Sequence, residues 1–243
     1  MVRSDGEAAR NESGPAANFV ASLTDQQRKD LMRLGVVNTY PRGRTILNQG
    51  ESGESVFFLL SGVVKVFLIS ETGGELLLAL RSRGEVIGEI AFVTKEPRSA
   101  RVFAATDVSA RVVNGADFRA FLDRWAAVRD QLTIAVIRKL HRANDRRAES
   151  RFYTTTGRLA IALAETALAV GGSTGAGRVL GPELTQADLA SLASISTSAV
   201  EKALREWEAA GLVNRQRQVL IVTDPAALRT LAEKERRNPY HEG

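Results

Sequence analysis

The alternation of apolar and polar residues divides the chain into a strand-rich part and a helix-rich part. Between residues 40 and 114, short apolar runs alternate with turns marked by glycine, a pattern typical of antiparallel strands in an all-β unit. We expect these strands to close as a β-barrel or jelly roll, preceded by a short amphipathic helix over residues 25–34. The predicted strands span residues 45–49, 56–60, 63–69, 76–80, 101–105 and 109–113.

The helix-rich part begins with an unusually long uninterrupted segment. No glycine or proline occurs between Gly115 and Gly157, which leaves room for one very long helix over residues 117–153. Its apolar residues recur at three- and four-residue steps, and a long helix with one such stripe usually packs against a partner helix. We therefore expect a dimer, although the first turns, around Phe118 and Trp125, are expected to pack on the barrel. The stripe consists of Phe118, Phe121, Leu122, Trp125, Val128, Leu132, Ala135, Val136, Leu140 and Ala143.

Two short helices are predicted nearer the C-terminus. They follow a further helical stretch from Arg158 and a glycine-rich loop at residues 171–177. Thr185 and Asp188 have the spacing of a capping box, which opens the first short helix. Ser196 can cap the second, which runs to residue 210 and stops at a glycine. Two short helices joined by about three residues form a helix-turn-helix.

A basic hairpin follows this motif and makes it winged. Apolar residues at 212–213 and 219–222 flank the polar and basic stretch 215–218. We interpret the whole unit as a DNA reader, in which the start of the second helix faces base edges while the helix caps and the hairpin lie where phosphates pass. The alternative is a three-helix packing unit with solvated polar faces. The candidate base-facing residues are Thr197, Ser198, Glu201, Lys202 and Arg205, and the candidate phosphate contacts are Thr185, Gln186, Ser196, Arg215 and Arg217.

Charge and length agree with this division. The chain has 243 residues, which suggests more than one domain, and a net charge of +5 with a pI of about 9.9, which favours a polyanionic partner. Residues 1–116 carry 14 basic and 13 acidic side chains, so +4 of the +5 lies in the remainder. The excess positive charge therefore lies in the part predicted to contact DNA.

Several classes of protein are excluded or disfavoured by composition. The absence of cysteine excludes disulfide frameworks, iron–sulfur clusters and zinc sites built on thiolates. Residues 1–18 form a polar tail without the apolar core of a signal peptide, and no apolar run approaches the roughly 18–20 residues that cross a bilayer. We expect a cytoplasmic protein. No nucleophile–base pair, metal cluster or Walker loop stands out, so we expect neither an enzyme nor a metal site.

One polar segment of the barrel has the chemistry of a phosphate site. Gly88 and Glu89 follow a short predicted strand, and Arg98, Ser99 and Ala100 arrive just before the next one. Outward-pointing backbone amides, one arginine and one hydroxyl suit a singly charged phosphodiester, and a carboxylate nearby would accept a hydrogen bond from a ribose hydroxyl. The alternative is a surface ion pair between Arg98 and Glu89, which would contribute little.

The order of these elements resembles the cyclic AMP receptor protein and FNR family of bacterial transcription regulators. Residues 88–92 and 97–102 look like its phosphate-binding cassette, residues 156–160 like its hinge, and residues 184–204 like its DNA-binding motif. The resemblance implies an α+β fold in three parts. These are a cyclic-nucleotide-binding β-barrel domain at 19–116, a dimerisation helix at 117–153 and a winged helix-turn-helix domain at 154–243.

The same resemblance implies roles for the cassette residues. Arg98 and Ser99 would hold the cyclic phosphate, and Glu89 the ribose 2′-hydroxyl. The residues that would complete the cassette are Gly88, Ile90 and Ala100.

The long helix would supply the residues that face the base. An ungapped match along it puts Lys139, Ala143 and Asn144 in these positions. Ala143 has no hydroxyl to offer an adenine, where the best-known cyclic AMP binder of the family has one. Cyclic AMP is the first expectation for the ligand because the cassette is complete, and cyclic GMP is the second because Asn144 suits a guanine edge.

The expected function is a dimeric transcription regulator that binds DNA in response to a cyclic nucleotide. Binding would act allosterically through a hinge at residues 154–158, and RNA polymerase is a possible further partner. Iron–sulfur sensing of the FNR type is excluded without cysteine, and His141 and His241 do not favour haem. Two alternatives remain. One is a regulator of the same fold that acts without a cyclic nucleotide, and the other is a nucleotide sensor that docks a protein through its C-terminal domain, with a helix-like tail at 226–237.

Overall fold

The computed structural model describes residues 18–237, and its N-terminal half is the expected jelly roll. Helix α1 (Asp25–Leu31) begins at a capping box between Thr24 and Gln27. Eight strands follow in two four-stranded sheets of order β1-β8-β3-β6 and β2-β7-β4-β5, and every pairing is antiparallel. The strands are β1 (Val36–Tyr40), β2 (Thr45–Leu47), β3 (Val56–Ser61), β4 (Val64–Ile69), β5 (Glu75–Arg81), β6 (Val86–Ile87), β7 (Arg101–Ala104) and β8 (Val108–Val113).

Strand β1 was missed by the sequence prediction, which started the strand-rich part at residue 40. Val36 and Val37 are 62% and 48% exposed, so this strand does not alternate between a buried and an exposed face. It is an edge strand that pairs with β8. Helix α2 (Glu89–Thr94) lies between β6 and β7 and starts at the cassette.

The predicted single long helix is in fact two helices. α3 (Gly115–Arg124) and α4 (Ala126–Phe152) are separated by Trp125, whose φ of −122° and ψ of 74° are not helical. The sequence contains no helix breaker there, and the break has a tertiary cause. Trp125 packs against the apolar cluster that covers the barrel, and the bend brings residues of both helices onto that cluster.

The predicted apolar stripe divides between two environments. Five of its members, in α3 and the first turns of α4, are buried against the barrel rather than left for a partner helix. Further along α4, Ile134, Ile137 and Leu140 are 38%, 43% and 59% exposed. Ile134 and Ile137 are not members of the predicted stripe, because that stripe follows the buried face of the helix. The five buried members are Phe118, Phe121, Leu122, Val128 and Leu132.

The C-terminal half contains the expected winged helix-turn-helix and one extra hairpin. The loop predicted at 171–177 holds that hairpin, which joins the wing in a sheet of order β11-β12-β10-β9. The wing tip is Arg217 and Gln218, so Arg215 lies in a strand rather than at the tip. The elements are α5 (Thr155–Val170), β9 (Gly172–Thr174), β10 (Gly177–Leu180), α6 (Gln186–Ala193), α7 (Thr197–Ala209), β11 (Val213–Gln216), β12 (Val219–Val222) and α8 (Pro225–Lys234).

The chain is not helical between α4 and α5, where the hinge was predicted. Tyr153 is extended, and Thr154 caps α5 by accepting a hydrogen bond from the Gly157 amide. The predicted helix at 226–237 is α8, which ends at Lys234. No helix within residues 18–237 is long and apolar enough to cross a membrane. Residues 1–17 of the predicted tail, and His241, lie outside the described residues.

The barrel and the helix-turn-helix unit pack directly on each other. Leu77 and Leu80 of β5 belong to the same buried apolar cluster as Leu189 and Leu192 of α6. The backbone N–H of Leu77 donates a hydrogen bond to Ser191 Oγ at 2.9 Å. This contact places α6 beside the β4–β5 hairpin.

An ion pair lies in the same contact. Lys65 Nζ of β4 is 2.7 Å from Asp188 Oδ2 of α6, and the two side chains are 12% and 9% exposed. Asp188 is also the partner of Thr185 in the capping box of α6. The start of the helix-turn-helix is therefore tied to the barrel by a charged contact that is largely shielded from water.

Candidate functional site

A cavity of about 780 Å³ lies between the barrel, α4 and α6. Its volume falls in the range of small-molecule sites, about 300–1,000 Å³. All six predicted cassette residues line it, so the structure brings residues 88–90 and 98–100 together in space. Lys139 and Ala143 of α4 line the cavity as well. Asn144 does not line it and is exposed on another face of α4.

The guanidinium of Arg98 is fixed in the wall of this cavity. Arg98 is 6% exposed, and its Nη1 and Nη2 donate hydrogen bonds to the carbonyls of Gly88 and Ser55, each at 2.8 Å. Burial lowers the pKa of Arg98, whereas the nearby carboxylates of Glu89 and Glu51 raise it. The cation is thus oriented by neutral carbonyls, which leaves its charge available to an anion in the cavity.

Gly88 is required by this arrangement. Its φ of 80° lies in the left-handed region, and a Cβ at this position would lie 2.6 Å from Arg98 Nη1. Any larger residue would be strained and would displace the guanidinium. This explains in structural terms why the cassette begins with glycine.

Glu89 is paired with α4 and not with Arg98. Glu89 is 2% exposed. Its carboxylate lies 2.7 Å from Lys139 Nζ, which also donates a hydrogen bond to the Val86 carbonyl at 2.7 Å. The alternative of a surface ion pair between Arg98 and Glu89 is therefore wrong, because both residues are buried and each has other partners. The Glu89–Lys139 pair ties the cassette to α4.

Sequence reasoning missed the far end of the cavity. That end is lined by arginines of α4 and α5 and by the last residues of α6. The signal was present in part, because residues 139, 143, 146, 147 and 150 share one face of a helix with 3.6 residues per turn. The missed residues that line it include Arg142, Arg146, Arg147, Arg158, Ser191 and Ser194.

The predicted base-facing residues share the exposed side of α7. Thr197, Ser198, Lys202 and Arg205 are all exposed, and Ser196 caps the helix by accepting a hydrogen bond from the Ala199 amide. Helix α7 is anchored from its other side, because its apolar residues are buried. This surface has the geometry of a recognition helix.

Glu201 connects α7 to the wing and to α6. It accepts hydrogen bonds from Arg215 at 3.0 and 3.2 Å and from the Gln186 side chain. These bonds, with Arg215 the largest cause, hold the pKa of Glu201 below its usual value. Arg215 is thus committed to a carboxylate, whereas Arg217 at the wing tip is exposed. Thr185 caps α6 together with Asp188.

Two family models match the chain, one in the barrel part and one in the helix-turn-helix part. The cyclic nucleotide-binding domain matches residues 37–124, and the Crp-like helix-turn-helix domain matches residues 157–231. The chain is 27% identical over 189 residues to a CRP-like cAMP-activated global transcriptional regulator of Mycobacterium tuberculosis, covering 78% of this chain and 84% of that protein. It is 29% identical over 195 residues to the cyclic AMP receptor protein of Thermus thermophilus, covering 79% and 86%.

Solved structures agree with this fold. FixK2 from Bradyrhizobium japonicum matches with a TM-score of 0.70 at 18% identity, over 82% of this chain and 97% of that one. The Thermus thermophilus catabolite activator protein matches with a TM-score of 0.50 at 25% identity, over 89% and 98%.

Fold and site define a transcription regulator that binds cyclic nucleotides and DNA. The chain belongs to the CRP/FNR family.

Proposed function

We propose that this protein is a homodimeric regulator whose DNA binding is controlled allosterically by a cyclic nucleotide, with cyclic AMP as the first candidate. The observation that carries the proposal is the shared cavity, whose walls include the cassette, α4 and α6. A ligand there would contact the sensing barrel, the helix with the exposed apolar residues and the helix-turn-helix at once. Two similar proteins are named for cyclic AMP, which favours that ligand over cyclic GMP.

The proposed binding mode follows the charges of the cassette. Arg98 and the Ser99 hydroxyl would bind the cyclic phosphate, and Glu89 would accept a hydrogen bond from the ribose 2′-hydroxyl. Lys139 would then lie between the ribose and the base, because it is bonded to Glu89 and lines the same cavity. Asn144 faces away from this cavity, so it would reach a base only if a second copy's cavity lies against it.

The proposed dimer contact is the apolar face of α4. Ile134, Ile137 and Leu140 are exposed and, with Asn144, recur at steps of three or four residues, as in a helix that packs on another helix. Apolar side chains grouped in this way on the surface mark an interaction site. Residues of α4 form both this apolar face and one wall of the cavity. A ligand in the cavity can therefore influence the dimer contact.

Ile137→Glu is expected to dissociate the dimer. The substitution puts a charge in the centre of the exposed apolar face, where its burial against a second copy is costly, while the monomer retains its fold because Ile137 is 43% exposed. Sedimentation equilibrium should give a dimer constant weakened at least about tenfold, and DNA affinity should fall with it. Val36→Glu puts the same charge on an aliphatic residue of edge strand β1 that is 62% exposed, and it should leave the dimer intact. A stable Ile137→Glu dimer would assign the contact to another surface.

Lys202 and Arg217 are expected to affect DNA binding in different ways. Lys202→Ala removes a base contact, so it should cost about 1–3 kcal/mol on the preferred site and relax the preference at one base pair. Arg217→Ala removes a phosphate contact, so it should weaken all sequences alike and lower the salt slope by about 1. The preferred site is first selected from random duplexes, and affinities are then measured at several salt concentrations. Equal effects of both variants on every sequence would remove Lys202 from base reading.

Titration with and without DNA tests the function as a whole. Cyclic AMP and cyclic GMP are titrated into the protein by calorimetry, alone and with the selected duplex. Allosteric linkage requires that nucleotide raise DNA affinity by the same factor by which DNA raises nucleotide affinity. Equal DNA affinity with and without nucleotide would indicate a ligand-independent regulator. A chain that binds nucleotide but shows no salt-dependent DNA binding would instead be a sensor that docks a protein.

A further inference from the structure

The cavity extends well beyond the cassette, and the proposed function uses one end of it. The other end is lined by Arg146 and Arg147 of α4, Arg158 of α5 and the hydroxyl residues Ser191 and Ser194 of α6. These residues come from three helices on both sides of the hinge. A group bound at this end would therefore contact the helix-turn-helix unit as well as α4.

The two ends differ in how their cations are balanced. At the cassette, Lys139 is paired with Glu89, and further along α4 Arg142 is paired with Glu149 of the same helix and Glu165 of α5. Within residues 18–237, in contrast, Arg146, Arg147 and Arg158 form no ion pair with any carboxylate. Glu149 and Glu165 lie near this end, but both are paired with Arg142, so the four arginines Arg142, Arg146, Arg147 and Arg158 share two carboxylates and the far end keeps a net positive charge.

Two of these arginines also have buried donors without acceptors. The Nε atoms of Arg146 and Arg158 are buried, and neither has a hydrogen-bond partner among the described residues. Burial lowers the pKa of both, and the nearby charges of Arg142 and Arg237, respectively, lower it further, whereas Glu149 raises the pKa of both and Glu165 that of Arg146. Buried donors of this kind are costly unless an acceptor satisfies them. An anion in the cavity would supply both the charge and the acceptors.

The separation of the two ends sets the size of that ligand. Arg146 follows Lys139 by seven residues, which is a rise of about 10 Å along α4. A cyclic mononucleotide carries one phosphate and one negative charge, so it can satisfy Arg98 but leaves the arginines at the far end unpaired. A ligand that fills the whole cavity needs a second anionic group about one nucleoside away from the first.

We propose that this cavity binds a ligand with two phosphate groups, one at Arg98 and Ser99 and the other at Arg146, Arg147 and Arg158. A cyclic dinucleotide has this chemistry. The proposal rests on the proposed function for its cassette end and adds a second anion subsite to it. Because the second subsite includes α6 and the start of α5, the second phosphate would connect the cassette directly to the DNA-binding unit.

Calorimetry on the full chain tests the proposal. Cyclic AMP, cyclic GMP, cyclic di-GMP and cyclic di-AMP are each titrated, and cyclic AMP is titrated again in inorganic phosphate to detect two separate anions. One dinucleotide is expected to bind at least about tenfold more tightly than either mononucleotide. In the double variant Arg147→Gln with Arg158→Gln, this preference should disappear while cyclic AMP affinity stays within about threefold. The control double variant, Arg138→Gln with Arg151→Gln, removes two charges outside the cavity and should retain it.

Three results would overturn the second subsite. Dinucleotides could bind no more tightly than cyclic AMP, their preference could survive in the double variant, or the double variant could weaken the dimer and leave ligand affinity unchanged. In each case cyclic AMP binding that depends on Arg98 would leave the proposed function intact. Tighter cyclic AMP binding in phosphate, with no gain for dinucleotides, would assign the arginines to an independent anion. Failure of every nucleotide to bind would reject both proposals.

Discussion

Replacing Arg98 with glutamine is expected to weaken cyclic-nucleotide binding by about 100-fold or more. A guanidinium that makes two charge-assisted hydrogen bonds to a phosphate contributes about 1.5–3 kcal/mol for each bond, and Gln can replace one of them at best without any charge. The loss is larger here than at a surface site, because Arg98 is 6% exposed and water cannot easily replace its hydrogen bonds to the phosphate. Calorimetric titration of both proteins with cyclic AMP measures the effect.

Arg98 also holds the cassette together, so folding must be monitored in the same variant. Its bonds to the carbonyls of Gly88 and Ser55 would be lost, and a modest drop in Tm is expected. Arg98→Lys separates the two roles, because it keeps the charge but not the two-pronged geometry, and it should bind about tenfold more weakly than the wild type. Arg101→Gln is the matched control, since Arg101 lies on the adjacent strand, pairs with Glu75 and does not line the cavity. A folded Arg98→Gln protein with affinity within threefold of wild type would remove the cassette from phosphate binding.

The parts of this site that lie close together in sequence could be predicted from it. Gly88, Glu89 and Arg98 are separated by one tight turn and a short helix, so their order already places them at one end of the barrel. The same holds for the caps at Thr185 and Ser196, because a capping side chain and its amide are three residues apart. Local chemistry of this kind is fixed by spacing alone.

The parts that depend on distant contacts could not be predicted. The break at Trp125 arises from packing on the barrel and has no glycine or proline to announce it. Lys65 and Asp188 are 123 positions apart, and nothing in their neighbourhoods indicates that they meet. The arginine end of the cavity also depends on how α5 is turned back after the hinge. Each case is decided by tertiary packing, which overrides local preference.

The contact between barrel and helix-turn-helix gives the second large prediction. Lys65→Met should release the DNA-binding unit, because removal of one member of a shielded ion pair leaves the other charge without its partner, at a cost of about 3–5 kcal/mol when fully buried. Asp188 keeps its bonds to Thr185, so the expected cost to docking is smaller, about 2–3 kcal/mol. The docked form should become less populated by about 30- to 160-fold.

The direction of the effect on DNA binding follows from where the contact lies. Thr185 and Gln186, the predicted phosphate contacts of α6, stand at the helix end that Lys65 holds against β4. Thr185 is exposed in the docked form, but we expect the neighbouring β4–β5 hairpin to limit the approach of a DNA backbone to this end, so release should raise DNA affinity in the absence of nucleotide. A ligand shifts an equilibrium only by its differential affinity, so cyclic AMP raises DNA affinity by this route only if it binds the cassette and α4 more tightly in the released form. In that case the gain on adding cyclic AMP should shrink in the same proportion in Lys65→Met.

Fluorescence anisotropy with the selected duplex, with and without cyclic AMP, measures both affinities, and proteolysis near residues 152–155 measures hinge exposure. Lys29→Met is the control, since Lys29 is an exposed residue of α1 and its loss should change neither.

A double-mutant cycle with Asp188→Asn separates the pair from other effects, because a coupling near zero would mean that the two charges do not act on each other. Unchanged or weaker DNA binding by Lys65→Met without nucleotide would show that the docked arrangement does not restrain the recognition helix. In that case the ligand would have to act through the dimer contact of α4 and not through the barrel.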